Sequence, residues 1–101
     1  MEFSVLERLM VLSLLPKEGN FESLLAGRRL RPLFAFSDEE AAKLKFSNEA
    51  GGTIKWMDSV GPKEIDLTGD DFIFIASRLS LLNEAKKLTE HHLTLCEKFL
   101  N

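Results

Sequence analysis

The chain has 101 residues, of which 45% are hydrophobic and 29% charged, with a formal net charge of −3. These values exclude a disordered chain and argue against a dedicated nucleic-acid binder, which carries a clear basic excess. A single cysteine cannot close an internal disulfide, so a reducing compartment and a cytoplasmic protein are expected.

The length suits one domain with a real core. Eight Phe, one Trp and no Tyr form a lopsided aromatic set, and rings without a polar handle belong mostly in the interior. The apolar run from Val5 to Leu15 is not a signal peptide. Glu7 and Arg8 interrupt it, Glu2 precedes it, and no basic leader or small-residue cleavage site flanks it. It is also too short to span a bilayer. No targeting segment and no membrane partner are expected.

The spacing predicts a first helix from Phe3 to Leu14, with Val5, Leu6, Leu9, Met10 and Leu12 on its apolar face. Ser4, Glu7 and Arg8 cluster on the polar side. Leu15-Pro16 closes it, because a residue before proline avoids the α region. Asn20 caps a second helix, with Phe21, Leu24 and Leu25 facing inward. That helix carries Arg28, Arg29 and Arg31 near its end, and Pro32 is expected to break or kink it. Leu33, Phe34 and Phe36 follow as an apolar connection. Ser37 and Glu40 form a capping box that starts a short third helix reaching Leu44.

From Phe46 the texture changes. Phe46–Glu49 and Thr53–Met57 flank Gly51-Gly52, which reads as a β-hairpin. Gly61-Pro62 marks a loop, and Glu64–Leu67 alternates as a third strand with Ile65 and Leu67 on one face. The most apolar stretch follows, Asp70–Leu82 (DDFIFIASRLSLL). Phe72, Ile75, Ala76, Leu79 and Leu82 keep helical spacing, while Ile73 and Phe74 widen the arc. The Phe and Ile content also suits a buried strand. The cap at Thr68 or Asp70, the acidic first turn and the sustained period favour helix. Such a helix needs cover on several sides; the first helix, the last helix and the Ile54/Ile65/Leu67 sheet are the expected covers. Thr89 caps the last helix, whose apolar stripe is Leu93, Cys96, Phe99 and Leu100. The expected fold is a single α+β domain of about five helices, with a small antiparallel hairpin or three-stranded sheet between the third and fourth.

Little of this carries chemistry. His92 and Cys96 share a helix face, but two ligands do not close a metal site, and no third group orients them as a nucleophile–base pair. Cys96 in an apolar stripe reads as a small core residue. Asp66, Asp70 and Asp71 could be taken for an acidic site, yet Asp70 and Asp71 suit a helix start. Gly51-Gly52 lacks the lysine and hydroxyl of a phosphate loop. No catalytic residue, cofactor or metal is expected. Two features remain for binding. Arg28, Arg29 and Arg31 form either a basic patch, extended by Lys17 and by Lys43, Lys45 or Lys55 where folding brings them near, or a solvated helix end paired with Asp38–Glu40. Trp56 is either cover for the sheet or an exposed anchor for a partner.

Two function classes fit. Three helices and a glycine-tipped hairpin follow the order of a winged-helix DNA-binding domain. Its reading helix would then open with Asp38-Glu39-Glu40, facing phosphates with negative charge. The other class is a small interaction or assembly module with an unidentified protein partner or a second copy. The strings LLPKEGNFESL (14–24), FAFSDEEAAKLKF (34–46) and KKLTEHHLTLCEKFL (86–100), with the lone Trp56, resemble a group of short proteins encoded in phage and prophage genomes. That resemblance implies a phage context and no catalytic residues. In its pattern the segment before Phe36 continues as helix, which Pro32 opposes.

Overall fold

Helix starts are written strongly into this chain, and the fold grows from them. A computed structural model describes residues 1–48, 54–57 and 60–100. Five α-helices are present among these residues: α1 (Val5–Leu14), α2 (Phe21–Phe34), α3 (Asp38–Leu44), α4 (Gly69–Glu84) and α5 (Leu93–Phe99). A 3₁₀ turn, Glu90–His92, leads into α5.

Capping boxes open α1 (Ser4/Glu7), α3 (Ser37/Glu40) and α4 (Thr68/Asp71). In each, the hydroxyl accepts a helix N–H and the carboxylate accepts the N–H of the capping residue. Each carboxylate also takes a cation from a distant element. Glu7 accepts from Lys98 Nζ at 2.7 Å, Glu40 from Arg8 Nη1 at 2.7 Å, and Asp71 from Arg29 Nη2 at 2.6 Å. The residues that begin the helices therefore also dock them.

Arg8 is the most deeply placed of these cations. It is fully buried. Its guanidinium bridges both Glu40 oxygens, donates to the carbonyls of Phe34 (3.3 Å) and Ala35 (2.6 Å), and lies 4.0 Å from the Phe36 ring centroid. One side chain thus fixes the exit of α2 and the entry of α3.

The sheet differs from the expected one. The hairpin pairing is present, but among the described residues two separate antiparallel pairs stand in place of a three-stranded sheet. β1 (Glu2–Phe3) pairs with β4 (Lys63–Glu64), and β2 (Ser47–Asn48) pairs with β3 (Ile54–Lys55). The chain start captures the β4 strand because that pairing buries Phe3 and Ile65 together and joins the N-terminal ammonium to Glu64. The Ile65 N–H also donates to the Met1 carbonyl at 2.9 Å. The Gly51-Gly52 turn of the hairpin lies outside the described residues.

The core holds Phe3, Val11, Leu30, Phe34, Ile75, Leu79, Leu95 and Phe99. Phe3 meets Phe34 edge-on at 4.9 Å, and Phe99 meets Phe72 at 4.7 Å. α4 packs against α1, α2 and α5. Of the expected Ile54/Ile65/Leu67 cover, Ile65 is buried in the core and Leu67 packs against it, while Ile54 is exposed; α2 covers α4 in addition. Ile73 of α4 is 65% exposed, so the buried arc is narrower than the sequence suggests.

Other elements are also redirected. Helix α1 starts at Val5 because Ser4 caps it and Phe3 joins β1. Its buried positions are Val5, Glu7, Arg8, Val11 and Leu14, so the expected polar side faces inward. Ion pairing makes that burial tolerable. Phe21 is 75% exposed and Leu24 39%; α2 buries Ala26, Gly27, Leu30 and Phe34 instead. Pro32 neither breaks nor ends α2, which runs on to Phe34. Proline removes one N–H and its ring crowds the carbonyl of Arg28, but both residues are exposed and the fully buried Leu30 and Phe34 hold the turn. In α5 the buried residues are Leu95 and Phe99, while Leu93 is 58% exposed.

Replacing Arg8 by methionine keeps volume but orphans two carbonyls and the Glu40 carboxylate. Denaturant unfolding should show a loss of about 3 kcal/mol or more; a loss below about 1 kcal/mol would contradict this role for the guanidinium. The hydrogen bond from Arg8, then that from the Ser37 N–H, lowers the Glu40 pKa from 4.5 to about 2. A lowered folded-state value contributes stability that is complete above the ordinary range and lost on acidification. The urea midpoint should therefore fall as pH drops from 4.5 towards 2, and Glu40→Gln should flatten that fall.

Candidate functional site

With its inner side occupied by Arg8 and Val11, α1 turns a second apolar stripe outward. Leu6, Leu9 and Met10, followed by Ser13, keep the i, i+3, i+4, i+7 spacing. These residues form one wall of a cleft of about 430 Å³. Ile54 and Trp56 of the hairpin strand and His91 of the 3₁₀ turn complete it. A cleft of this size accommodates one or two large side chains.

Trp56 is half-buried and is positioned through aromatic contacts. Its ring lies 6.3 Å from Phe46, which meets Phe36 edge-on at 5.3 Å. Phe36 in turn carries the Arg8 guanidinium. The N–H of Met57 donates to the carbonyl of the buried Leu44 at 2.7 Å, tying the outgoing strand to the end of α3. The tryptophan wall is therefore attached to the core by α3 and a line of rings. Ile54 and Met57 beside it are 46% and 54% exposed.

Of the three arginines, Arg29 is paired with Asp71. Asp71 Oδ1 accepts from both Nε (2.9 Å) and Nη2 (2.6 Å) of Arg29. Burial alone raises the Asp71 pKa, but Arg29 and the Thr68 cap outweigh it and hold the carboxyl below its ordinary value. Arg28 and Arg31 remain exposed on α2. The expected partners, Asp38–Glu40, are not those of Arg29, and Glu40 serves Arg8. None of the three arginines lines the Trp56 cleft.

His92 and Cys96 are also engaged structurally. His92 Nδ1 accepts the Thr89 N–H at 2.9 Å. Burial, followed by the charge of neighbouring His91, lowers the His92 pKa, so the ring is neutral near pH 7. Cys96 packs against the core, and burial pushes its thiol pKa up, away from the reactive thiolate. No cluster of three or more metal-ligating His, Cys, Asp or Glu side chains occurs among the described residues. No helix there is long and apolar enough to cross a membrane.

Sequence reasoning singled out Trp56 but treated Leu6 and Leu9 as core, and it gave His91 no role. The available signal was the apolar character of α1 on both faces. A helix with two apolar faces has one more than a single core requires.

No family model matches the chain, and neither a curated protein nor a solved structure shows significant similarity to it.

The two faces of α1 can be separated by mutation. Leu9→Ala is the larger truncation, but it lies at the half-exposed wall and should cost about 1 kcal/mol, whereas Val11→Ala in the sealed core should cost about 2 kcal/mol. Equal or reversed costs in chemical denaturation would place Leu9 in the core.

Proposed function

We propose that this chain is a small non-enzymatic interaction module, and that the cleft between α1 and Trp56 receives an apolar segment of a protein partner. The observation that carries this reading is the outward stripe of Leu6, Leu9 and Met10 facing a tryptophan. Leu6 and Leu9 are half-buried and stand outside the core cluster, and their remaining exposure to water is unfavourable. A half-buried tryptophan beside such a wall is a common form of interface anchor. The partner segment is an amphipathic helix or strand presenting large aliphatic or aromatic side chains, with polar groups on its outer edge. A phage or prophage context is part of this proposal, and its support is the likeness to short phage-encoded proteins.

The reading attaches no chemistry to the cleft. Among the described residues its walls are aliphatic and aromatic apart from Ser13 and His91. Ser13 donates its hydroxyl proton to the Met10 carbonyl at 2.6 Å, which suits a helix surface better than a nucleophile.

The decisive comparison is between the parent and Leu9→Asp, with circular dichroism confirming the fold of both. The parent should retain partner protein from host extract at moderate salt, and Leu9→Asp should lose it, because a carboxylate placed in the cleft must be desolvated. Trp56 emission should shift to shorter wavelength as the cleft closes. Light scattering at rising concentration tests a second copy as the partner: association abolished by Leu9→Asp identifies it. Partner recovery unchanged by Leu9→Asp, or binding lost only on raising salt, overturns the reading.

A further inference from the structure

A second cleft, of about 460 Å³, opens where the end of α1, the end of α4 and the 3₁₀ turn meet. It shares Ser13 with the Trp56 cleft and no other lining residue. Among the described residues its charged lining side chains are Arg78 and Lys87 and none is acidic, while the chain as a whole carries a net charge of −3. A pocket of one sign on a molecule of the other concentrates counter-charge locally.

Arg78 and His92 are oriented by hydrogen bonds to the backbone, and the position of Lys87 is set by the turn that carries it. Arg78 donates from Nε to the Leu14 carbonyl at 3.2 Å, which aims the guanidinium across the gap between α4 and α1. Its remaining N–H groups have no carboxylate among the described residues. His92 is 9% exposed and accepts the Thr89 N–H at Nδ1, so the neutral ring carries its proton on Nε2. That N–H is the donor the ring has left to offer. Lys87 is set by the turn that ends α4. Lys86 takes a left-handed conformation (φ 57°), the Lys86 N–H reaches the Asn83 carbonyl, and the Lys87 N–H reaches the Leu82 carbonyl at 2.9 Å. This double closure folds the chain back over its own last turn. Beside these groups Leu14, Leu81 and Leu82 give the cleft an apolar side.

We propose that this cleft binds a singly charged carboxylate on a short aliphatic stem, with Arg78 and His92 Nε2–H holding the carboxylate, Lys87 at the mouth, and Leu14, Leu81 and Leu82 covering the stem. The planar guanidinium edge matches the two carboxylate oxygens. One guanidinium edge, one neutral imidazole donor and one mobile ammonium suit a monoanion better than a phosphate dianion. A free carboxylic acid and the C-terminus of a peptide share this chemistry. The site is independent of the partner-binding cleft and does not rest on that reading.

The test uses the intact chain and follows the His92 ring resonances by NMR. Hexanoate should shift them with a dissociation constant on the order of 1 mM. Hexanamide, which has the same shape without the charge, should bind at least about 10-fold more weakly. N-acetyl-leucine against hexanoate separates the sources: tighter binding of the former assigns a chain terminus, and of the latter a free acid. Arg78→Gln should weaken hexanoate about 10-fold or more. Because Arg78 also supports the Leu14 carbonyl, Lys87→Glu at an exposed position provides a second variant, expected to lose affinity with the fold intact. Hexanoate and hexanamide binding alike, the absence of His92 shifts at a tenfold excess over that concentration, or unchanged affinity in Lys87→Glu would each overturn the proposal.

Discussion

The fold depends on one arrangement used repeatedly: a capping-box carboxylate that also accepts a cation from far along the chain. Glu40 shows it most fully. Its Oε1 accepts from the Ser37 N–H at 3.0 Å and from Arg8 Nη2 at 3.1 Å, while Oε2 takes Arg8 Nη1. A buried guanidinium is costly to desolvate, and attraction to one carboxylate rarely offsets that cost. Here the two carbonyls and the Phe36 ring add to the attraction. The same carbonyls explain why a hydrophobic residue is no substitute. They belong to the last residue of α2 and the one after it, where the helix leaves its final carbonyls without backbone partners.

This arrangement couples local and long-range order. A capping box alone orders one helix turn and is worth about 1 kcal/mol. When its carboxylate also binds Lys98, Arg8 or Arg29, the helix start becomes a tertiary contact between residues 91, 32 or 42 positions apart. For Glu7, burial raises the pKa, but the hydrogen bonds from Lys98 and the Ser4 N–H outweigh it and keep the carboxyl below its ordinary value. Lys98 also donates to the Glu2 carbonyl at 2.6 Å and lies 5.1 Å above the Phe3 ring centroid, so α5, β1 and α1 are held by one ammonium. The small aromatic core is enclosed by these contacts, and precision in its packing follows from them.

The sequence disclosed the beginnings of helices far better than their neighbours. Ser37, Asn20 and Thr68 are capping residues read from local chemistry, and the structure places them there. The central helix and the hairpin strands were readable for the same reason, through period and turn residues. Facing and pairing were not. α1 is apolar nearly all round, so periodicity cannot orient it; the burial of Glu7 and Arg8 decides, and that depends on Lys98 and Glu40. The strand near Glu64 has no local mark that favours the chain start over the hairpin. Pro32 does not end α2, because the hydrogen bond it removes lies on the exposed side of the helix. Of the candidate site, Trp56 was legible by its type, whereas Leu6 and Leu9 were indistinguishable from core until the fold assigned the other face inward.

These facts bear on how the cleft relates to the fold. Leu6 and Leu9 stand outside the core cluster, so changes at that wall cost less stability than changes in the sealed core. The Trp56 wall is different. It is connected through Phe46 and Phe36 to Arg8, and through the Leu44 carbonyl to α3, whose start is held by that same arginine. Any change that loosens Arg8 therefore moves the tryptophan wall as well as weakening the core. Arg8, which does not line the cleft, is linked through these contacts to one of its walls. That is the physical reason to expect a defined groove here and not a loose apolar patch: one wall is a regular helix, and the other is fixed by the most constrained side chain in the structure.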